Sequence, residues 1–274
     1  MFSIIAGISA ALCYGISDFA GGRASNRMAV VQVLVLGEVV GAALLWGAAL
    51  ALGEPLLAQT NVLIALCAGL SGAIGVAALY IGIAAGHTAV TAPVSAVLAT
   101  VLPVVYGMTT AGMPKTIVLL GIVLGIGAIL LNSFGGGTSQ RGGLWEGVIA
   151  GVAFGVYFIF LAHIGTGTAV YAPLALSRST ALLVTLPWLL LRPGGRPTAG
   201  GIGLALVACV FDIGASVSFF LAARYGRLDI ASVLASLYPA VTVILAATLL
   251  REHIGVVQRW GLALTLAATI CIAL

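Results

Sequence analysis

Glu38, Arg178 and Asp212 each fall near the middle of a long apolar run. A charge at the centre of a membrane-spanning helix costs about 2.5–3.5 kcal/mol on insertion scales. Three such charges are tolerable together only if they face one another or a wet cavity. Two chemistries fit. In the first, the residues line a central cavity: Arg178 binds a substrate carboxylate or a counter-ion, and Glu38 or Asp212 takes a proton or an amine. In the second, they form a buried ion pair that only orders the bundle. The usual functional weight of intramembrane charge favours the cavity.

Other polar residues extend this group. Tyr14, Ser17 and Asp18 share one helical face by their three- and four-residue spacing, although Asp18 also fits the end of a first helix. Asp212 and Ser216 share another face, and Tyr80 and Tyr238 lie inside apolar runs. These residues complete a substrate-binding set. Trp46 and Trp188 sit nearer run ends, where an interfacial belt is an equal explanation. Pro103 and Pro239 fall at related positions and each removes a backbone donor, so they read as hinges or as static kinks. His87, His163 and His253 lie near run ends and read as loop or interface residues. No zinc-ligand spacing, phosphate-binding loop or nucleophile elbow occurs, and Glu252-His253 lacks the second His of a metalloprotease motif. No metal, cofactor or catalytic residue is expected.

The elements that position these residues are set by composition. Of 274 residues, 62% are hydrophobic and 7% charged. A soluble domain carries about 25% charged residues, so most of this surface has lipid as its solvent. The net charge of +4 carries no basic stripe with interleaved aromatics, which sets nucleic acid aside. Cys13, Cys67, Cys209 and Cys271 lie in apolar runs without short paired spacing and read as packing residues. The first run begins at once, without a basic leader segment, and reads as a retained span.

Ten apolar segments are legible, at roughly 3–20, 30–52, 61–85, 89–111, 116–133, 144–163, 169–191, 200–223, 229–250 and 254–273. A span needs about 20 apolar residues, and lipid forbids unpaired backbone groups. The runs are too long and too uniformly apolar for barrel strands. The expected class is an all-α integral membrane protein of ten transmembrane helices.

A Gly-rich stretch from Ser133 to Gly143 divides the chain. Across it, Gly7, Ala10 and Gly15 recur as Gly147, Ala150 and Gly155, and Ile74-Gly75 as Ile213-Gly214. Val97-Leu98-Ala99 and Pro103 recur as Val233-Leu234-Ala235 and Pro239, and Gly121 as Gly261. The offset stays between 136 and 140, and 140 also pairs Glu38 with Arg178. The expected halves are 1–137 and 138–274. Five helices per half is an odd number, so the second half enters from the opposite side: an inverted repeat, a frequent transporter architecture. Glycines four apart (Gly147, Gly151 and Gly155; Gly37 and Gly41; Gly121 and Gly125) suit close helix packing.

The segment Ala231-Ser232-Val233-Leu234-Ala235-Ser236-Leu237-Tyr238-Pro239-Ala240-Val241-Thr242, running into Leu250-Arg251-Glu252, resembles the EamA-type branch of the drug/metabolite transporter superfamily. The helix count, the duplication and the Tyr14-Gly15 and Phe154-Gly155 pairs agree with it. Arg251 stands where that family usually has Gly. Gly112-Met113-Pro114-Lys115 occupies a turn where an acid is often found, so no role is carried onto that turn.

The resemblance implies transport of a metabolite, with efflux as its usual direction, and no enzyme activity. An amino-acid-like substrate fits best, with its carboxylate on Arg178 and its amine on an acid. A drug or organic cation is the alternative, with Glu38 or Asp212 as its site. An intramembrane lipid-phosphate enzyme or a passive channel fits less well. Lacking an ATP site, the chain would draw on an ion gradient, protons being one candidate, or on the substrate's own gradient. The expected location is the cell membrane, as a multi-pass protein, a bacterial inner membrane fitting best. Orientation stays open. Arg23, Arg27, Arg141, Arg192, Arg196, Arg251 and Arg259 lie on one side, against Lys115, Arg224 and Arg227 on the other. That balance puts the termini outside, whereas the resemblance implies cytoplasmic termini.

Overall fold

The computed structural model describes residues 2–55, 57–111, 115–134, 142–164, 169–225, 234–235, 237–249 and 255–273. Their regular structure is helical, without a strand among them. The helical segments are α1 (Phe2–Ser25), α2 (Val30–Ala51), α3 (Gln59–Ala84), α4 (Thr88–Ala111), α5 (Thr116–Phe134), α6 (Gly142–His163), α7 (Tyr171–Leu191), α8 (Ala199–Tyr225), α9 (Tyr238–Leu249) and α10 (Val256–Ala273). Among the described residues, six helices are long and apolar enough to cross a membrane: α1, α2, α3, α6, α7 and α8. The protein is a multi-pass membrane protein.

The core is rich in small residues, with a few large ones such as Phe219, Leu45 and Leu79, while many large apolar residues face outward. Ala10, Ala68 and Ala175 are fully buried, while Leu50, Leu183 and Leu191 are exposed. Lipid offers no hydrophobic penalty to an exposed leucine, so association depends on close van der Waals contact between backbones. The glycine stripe of α6 shows how. A methyl group on Gly147 or Gly151 would collide with the backbone of α4 at Thr91 or Ser95, and one on Gly155 with Leu102. On α1, Gly7 and Gly15 meet Leu234 and Val241 in the same manner. Gly125 of α5 packs on Val97 of α4, and Gly69 of α3 on the Ser177 carbonyl of α7. The α2 pair departs from expectation. A methyl on Gly37 would meet nothing within 4 Å, and one on Gly41 only the Arg178 side chain and the Cys209 sulfur, at 3.7–3.9 Å. Gly41 leaves room for the Arg178 side chain rather than for another backbone, and Gly37 faces open space.

Helices α2 and α7 are tied along their length. Both Glu54 carboxylate oxygens accept from the Val170, Tyr171 and Ala172 amides at 2.7–3.0 Å, capping the start of α7. Residue 173 is proline, so the next position has no donor to satisfy. A carboxylate there also complements the positive end of the helix dipole. At the opposite end, the Gln32 amide donates to the Pro193 and Gly195 carbonyls at 2.6 and 2.8 Å. The turn that presents them passes through Gly194 at φ +71°, a left-handed conformation that glycine adopts without strain. Trp46 adds a bond to the Ser179 hydroxyl at 3.1 Å.

Three expectations change or fall outside the description. Helix α1 runs on to Ser25, so Asp18 lies inside it rather than at its end. Within the ninth run residues 234–235 are helical, Leu237 is a turn, and α9 begins at Tyr238. Much of the Gly-rich stretch, the boundary at 137/138, the 112–114 turn, residues 231–233 and 236, and residues 250–254 lie outside the described residues.

Candidate functional site

Arg178 of α7 is the centre of the site. Its Nη1 lies 3.5 Å from Glu38 Oε1 on α2, and its Nη2 pairs with Asp212 Oδ2 on α8. The same Nη2 reaches the Ser216 hydroxyl at 3.3 Å. A guanidinium is a planar fork of donors, suited to holding two carboxylates at once. The Asp212 contact is the tighter of the two. The Glu38 contact is at the long limit of a hydrogen bond, and Glu38 Oε2 is buried without a partner. Gly41 lies one turn beyond Glu38 and leaves room for the Arg178 methylenes.

A cavity with about 660 Å³ of empty space opens over this cluster. Tyr14, Asp18, Tyr157, Phe158, Ser216 and Tyr238 line it together with the charged group. Tyr14 meets Tyr238 edge-on at 6.3 Å, and the Tyr238 hydroxyl is held by Ser95 of α4 at 2.9 Å. The Tyr14 hydroxyl lies 3.5 Å from that of Ser216. Gly72 and Gly75 of α3 make room for the rings of Tyr157 and Phe154. A smaller cavity, of about 300 Å³, lies against the same three charges and is lined by Val33, Tyr80, Ala205 and Cys209. On α3 the larger cavity touches 69–76 and the smaller one 76–80; on α8 they touch 212–216 and 205–212. The charged cluster therefore separates two cavities that extend toward opposite ends of the bundle.

The residues singled out from sequence distribute as follows. Glu38, Arg178, Asp212, Tyr14, Ser216 and Tyr238 meet at the larger cavity. Tyr80 borders the smaller one, its ring seated against Gly21 of α1. Ser17 is turned away and donates to the Ala208 carbonyl at 2.8 Å, tying α1 to α8. Pro103 lies inside α4, which also passes through Pro93 unbroken. Pro239 is the second residue of α9, a position that tolerates proline without a lost helix bond. The two prolines therefore differ in their local surroundings. His163 ends α6 and meets the Tyr106 hydroxyl at 3.2 Å, while His87 lies between α3 and α4 with its Nδ1 buried and packs on Gly143 of α6.

Asp18, read from sequence either as part of the binding face or as a helix end, lines the cavity, and so do three aromatic residues not singled out for the site: Phe154, Tyr157 and Phe158. The repeat spacing carried the signal. Shifted by 140, Tyr14, Ser17 and Asp18 become Phe154, Tyr157 and Phe158. Tyr14 and Asp18 of α1 and Phe154, Tyr157 and Phe158 of α6 flank one cavity, with acid and phenol chemistry on α1 and aromatic surface on α6.

Comparison with known proteins gives three findings. The profile of the EamA-like transporter family matches residues 141–274. One solved protein crystal structure superposes with a TM-score of 0.70, over 99% of this chain and 98% of that one, at 18% identity. At that identity the likeness concerns the fold alone. No curated protein matches the sequence.

Proposed function

An EamA-like transporter domain of the drug/metabolite transporter superfamily occupies residues 141–274, and from that premise we propose that the whole chain is a secondary transporter working by alternating access. Members of that family are transporters, not enzymes. The chain is embedded in lipid and takes a small-molecule substrate. In our reading it consists of two inverted five-helix halves, 1–137 and 138–274. The packing supports this: α1 rests on α8 as α6 rests on α3, and α6 on α4 as α1 on α9. In an inverted repeat the two halves exchange conformations, which opens a central site first to one side and then to the other.

The observation that carries the proposal is the Arg178 cluster between two cavities directed to opposite ends of the bundle. A carrier needs one binding site with two alternating routes, and this cluster occupies the point where the routes would meet. The cargo is a small polar or amphipathic metabolite bearing an amine. An amino acid would place its carboxylate on Arg178, which must then release Glu38 or Asp212. An organic cation needs no such release. Efflux, a proton as coupling ion, Pro103 and Pro239 as hinges, and a bacterial inner membrane as location belong to the same reading.

Reconstituted vesicles test it. Loaded with a metabolite mixture containing amines and amino acids, they should show saturable flux that is stimulated by substrate on the far side. Flux that never saturates would indicate a channel, and a chemically altered product an enzyme.

A further inference from the structure

Arg178 is already occupied. Its two terminal nitrogens reach two carboxylates and a hydroxyl. The cavity nevertheless holds a third acid, Asp18, one turn along α1 from Tyr14. Asp18 is only 8% exposed. Among the described residues its carboxyl group has no hydrogen-bond or ion-pair partner. One guanidinium thus faces three carboxyl groups in a single cavity. A buried carboxylate without a partner is costly, and such groups inside a membrane are retained for function. The same cavity has aromatic walls: Tyr14, Phe154, Tyr157, Phe158 and Tyr238. Aromatic faces attract cations and give an apolar body a surface to rest on.

Resting on the transport reading above, we infer that Asp18 is the carboxylate that receives the ammonium group of the substrate, and that the cavity selects aromatic or apolar monoamines lacking a carboxylate. An ammonium ion supplies the missing counter-charge directly. An added substrate carboxylate would enter a site already richer in acids than in bases, and would have to displace Glu38 or Asp212 from Arg178. The alternative amine sites, Glu38 and Asp212, are engaged with the guanidinium, whereas Asp18 is not.

Three probes with the same aromatic body separate the possibilities: phenethylamine, L-phenylalanine and 3-phenylpropionate. Their binding to the full chain in lipid nanodiscs is measured by calorimetry. Phenethylamine should bind at least tenfold more tightly than L-phenylalanine, with 3-phenylpropionate weakest. Asp18→Asn should weaken phenethylamine at least tenfold, and Asp18→Glu should retain most of its affinity. Equal or tighter binding of L-phenylalanine, no binding of phenethylamine, or unchanged affinity in Asp18→Asn overturns the inference. The ranking by the wild-type chain stands even if Asp18→Asn fails to fold. Exchange of the probes across reconstituted vesicles reports separately on transport. Binding of phenethylamine with no exchange of any probe contradicts the transport reading and leaves the role of Asp18 intact. Exchange that prefers L-phenylalanine does the reverse.

Discussion

Glu38 and Arg178 stand 140 residues apart in sequence and face each other across α2 and α7, Nη1 to Oε1 at 3.5 Å. The spacing equals the 140-residue offset at which Gly7, Ala10 and Gly15 recur as Gly147, Ala150 and Gly155, and the two opposite charges meet. The pair is not isolated, because Asp212 takes the other side of the guanidinium. Replacing Arg178 by Gln should therefore leave two acids without a counter-charge. Breaking a buried pair this way costs about 3–5 kcal/mol. Lysine should not restore it, because a compact ammonium lacks the fork that spans two carboxylates. Exchanging the charges, Glu38→Arg with Arg178→Glu, should also fail while Asp212 is present, since the new Glu would face Asp212. Adding Asp212→Asn to the exchange should recover part of the stability. Thermal unfolding of the variants in lipid nanodiscs checks each step.

Glu54 is expected to matter for stability far more than its loop position suggests. Its carboxylate satisfies three amides at the start of α7. Glu54→Ala should cost about 1–2 kcal/mol, the range for lost helix caps and favourable dipole contacts. Glu54→Gln should cost less, since one amide oxygen still accepts. Chemical unfolding in mild detergent would measure both, and equal stability of Glu54→Ala and wild type would refute the cap's importance.

Much of this architecture was legible because a charge in lipid is rare and expensive, so Glu38, Arg178 and Asp212 identified themselves. Composition and run length likewise gave the all-helical membrane class. Side-chain direction was harder to read. Many leucines face outward and most alanines the core, yet both are apolar, so helices such as α3 and α6 have little contrast between faces. Phe154, Tyr157 and Phe158 looked like ordinary apolar residues for that reason. Asp18 also fits a helix end by sequence; in the fold the helix continues past it, and Gly21 and Gly22 make room for Tyr80 and Ile83. The Glu54 cap joins residues 116–118 positions apart, and no local pattern announces such a contact.

Glycine substitutions should separate backbone contacts from incidental glycines. Gly151→Ala would drive a methyl group into the Ser95 backbone of α4, where contact distances fall to 2.6–2.9 Å. Overpacking of this kind costs about 1–3 kcal/mol. Gly47→Ala, which meets nothing within 4 Å, should be neutral. Unfolding temperatures of the two variants in one lipid give the comparison, and equal values would refute the close-packing account of α4 and α6.

Pro103 offers a test of motion. It lies inside an unbroken α4, beside Leu102, which packs on Gly155 of α6. If α4 bends there during transport, Pro103→Ala should slow exchange several-fold while leaving the unfolding temperature unchanged or higher. Pro239→Ala, at the start of α9, should have the smaller effect. Wild-type exchange rates in a folded Pro103→Ala variant would leave only a static kink.

The central claim is that the Arg178 cluster is the site through which cargo crosses. Its most direct test is exchange flux of a metabolite mixture across vesicles holding equal amounts of folded wild type, Gly47→Ala or Arg178→Gln, read by mass spectrometry against protein-free vesicles. The account predicts saturable exchange of at least one amine-bearing metabolite by wild type and Gly47→Ala, and protein-free background for Arg178→Gln. Exchange at the wild-type rate by Arg178→Gln, or no exchange by wild type, would contradict it.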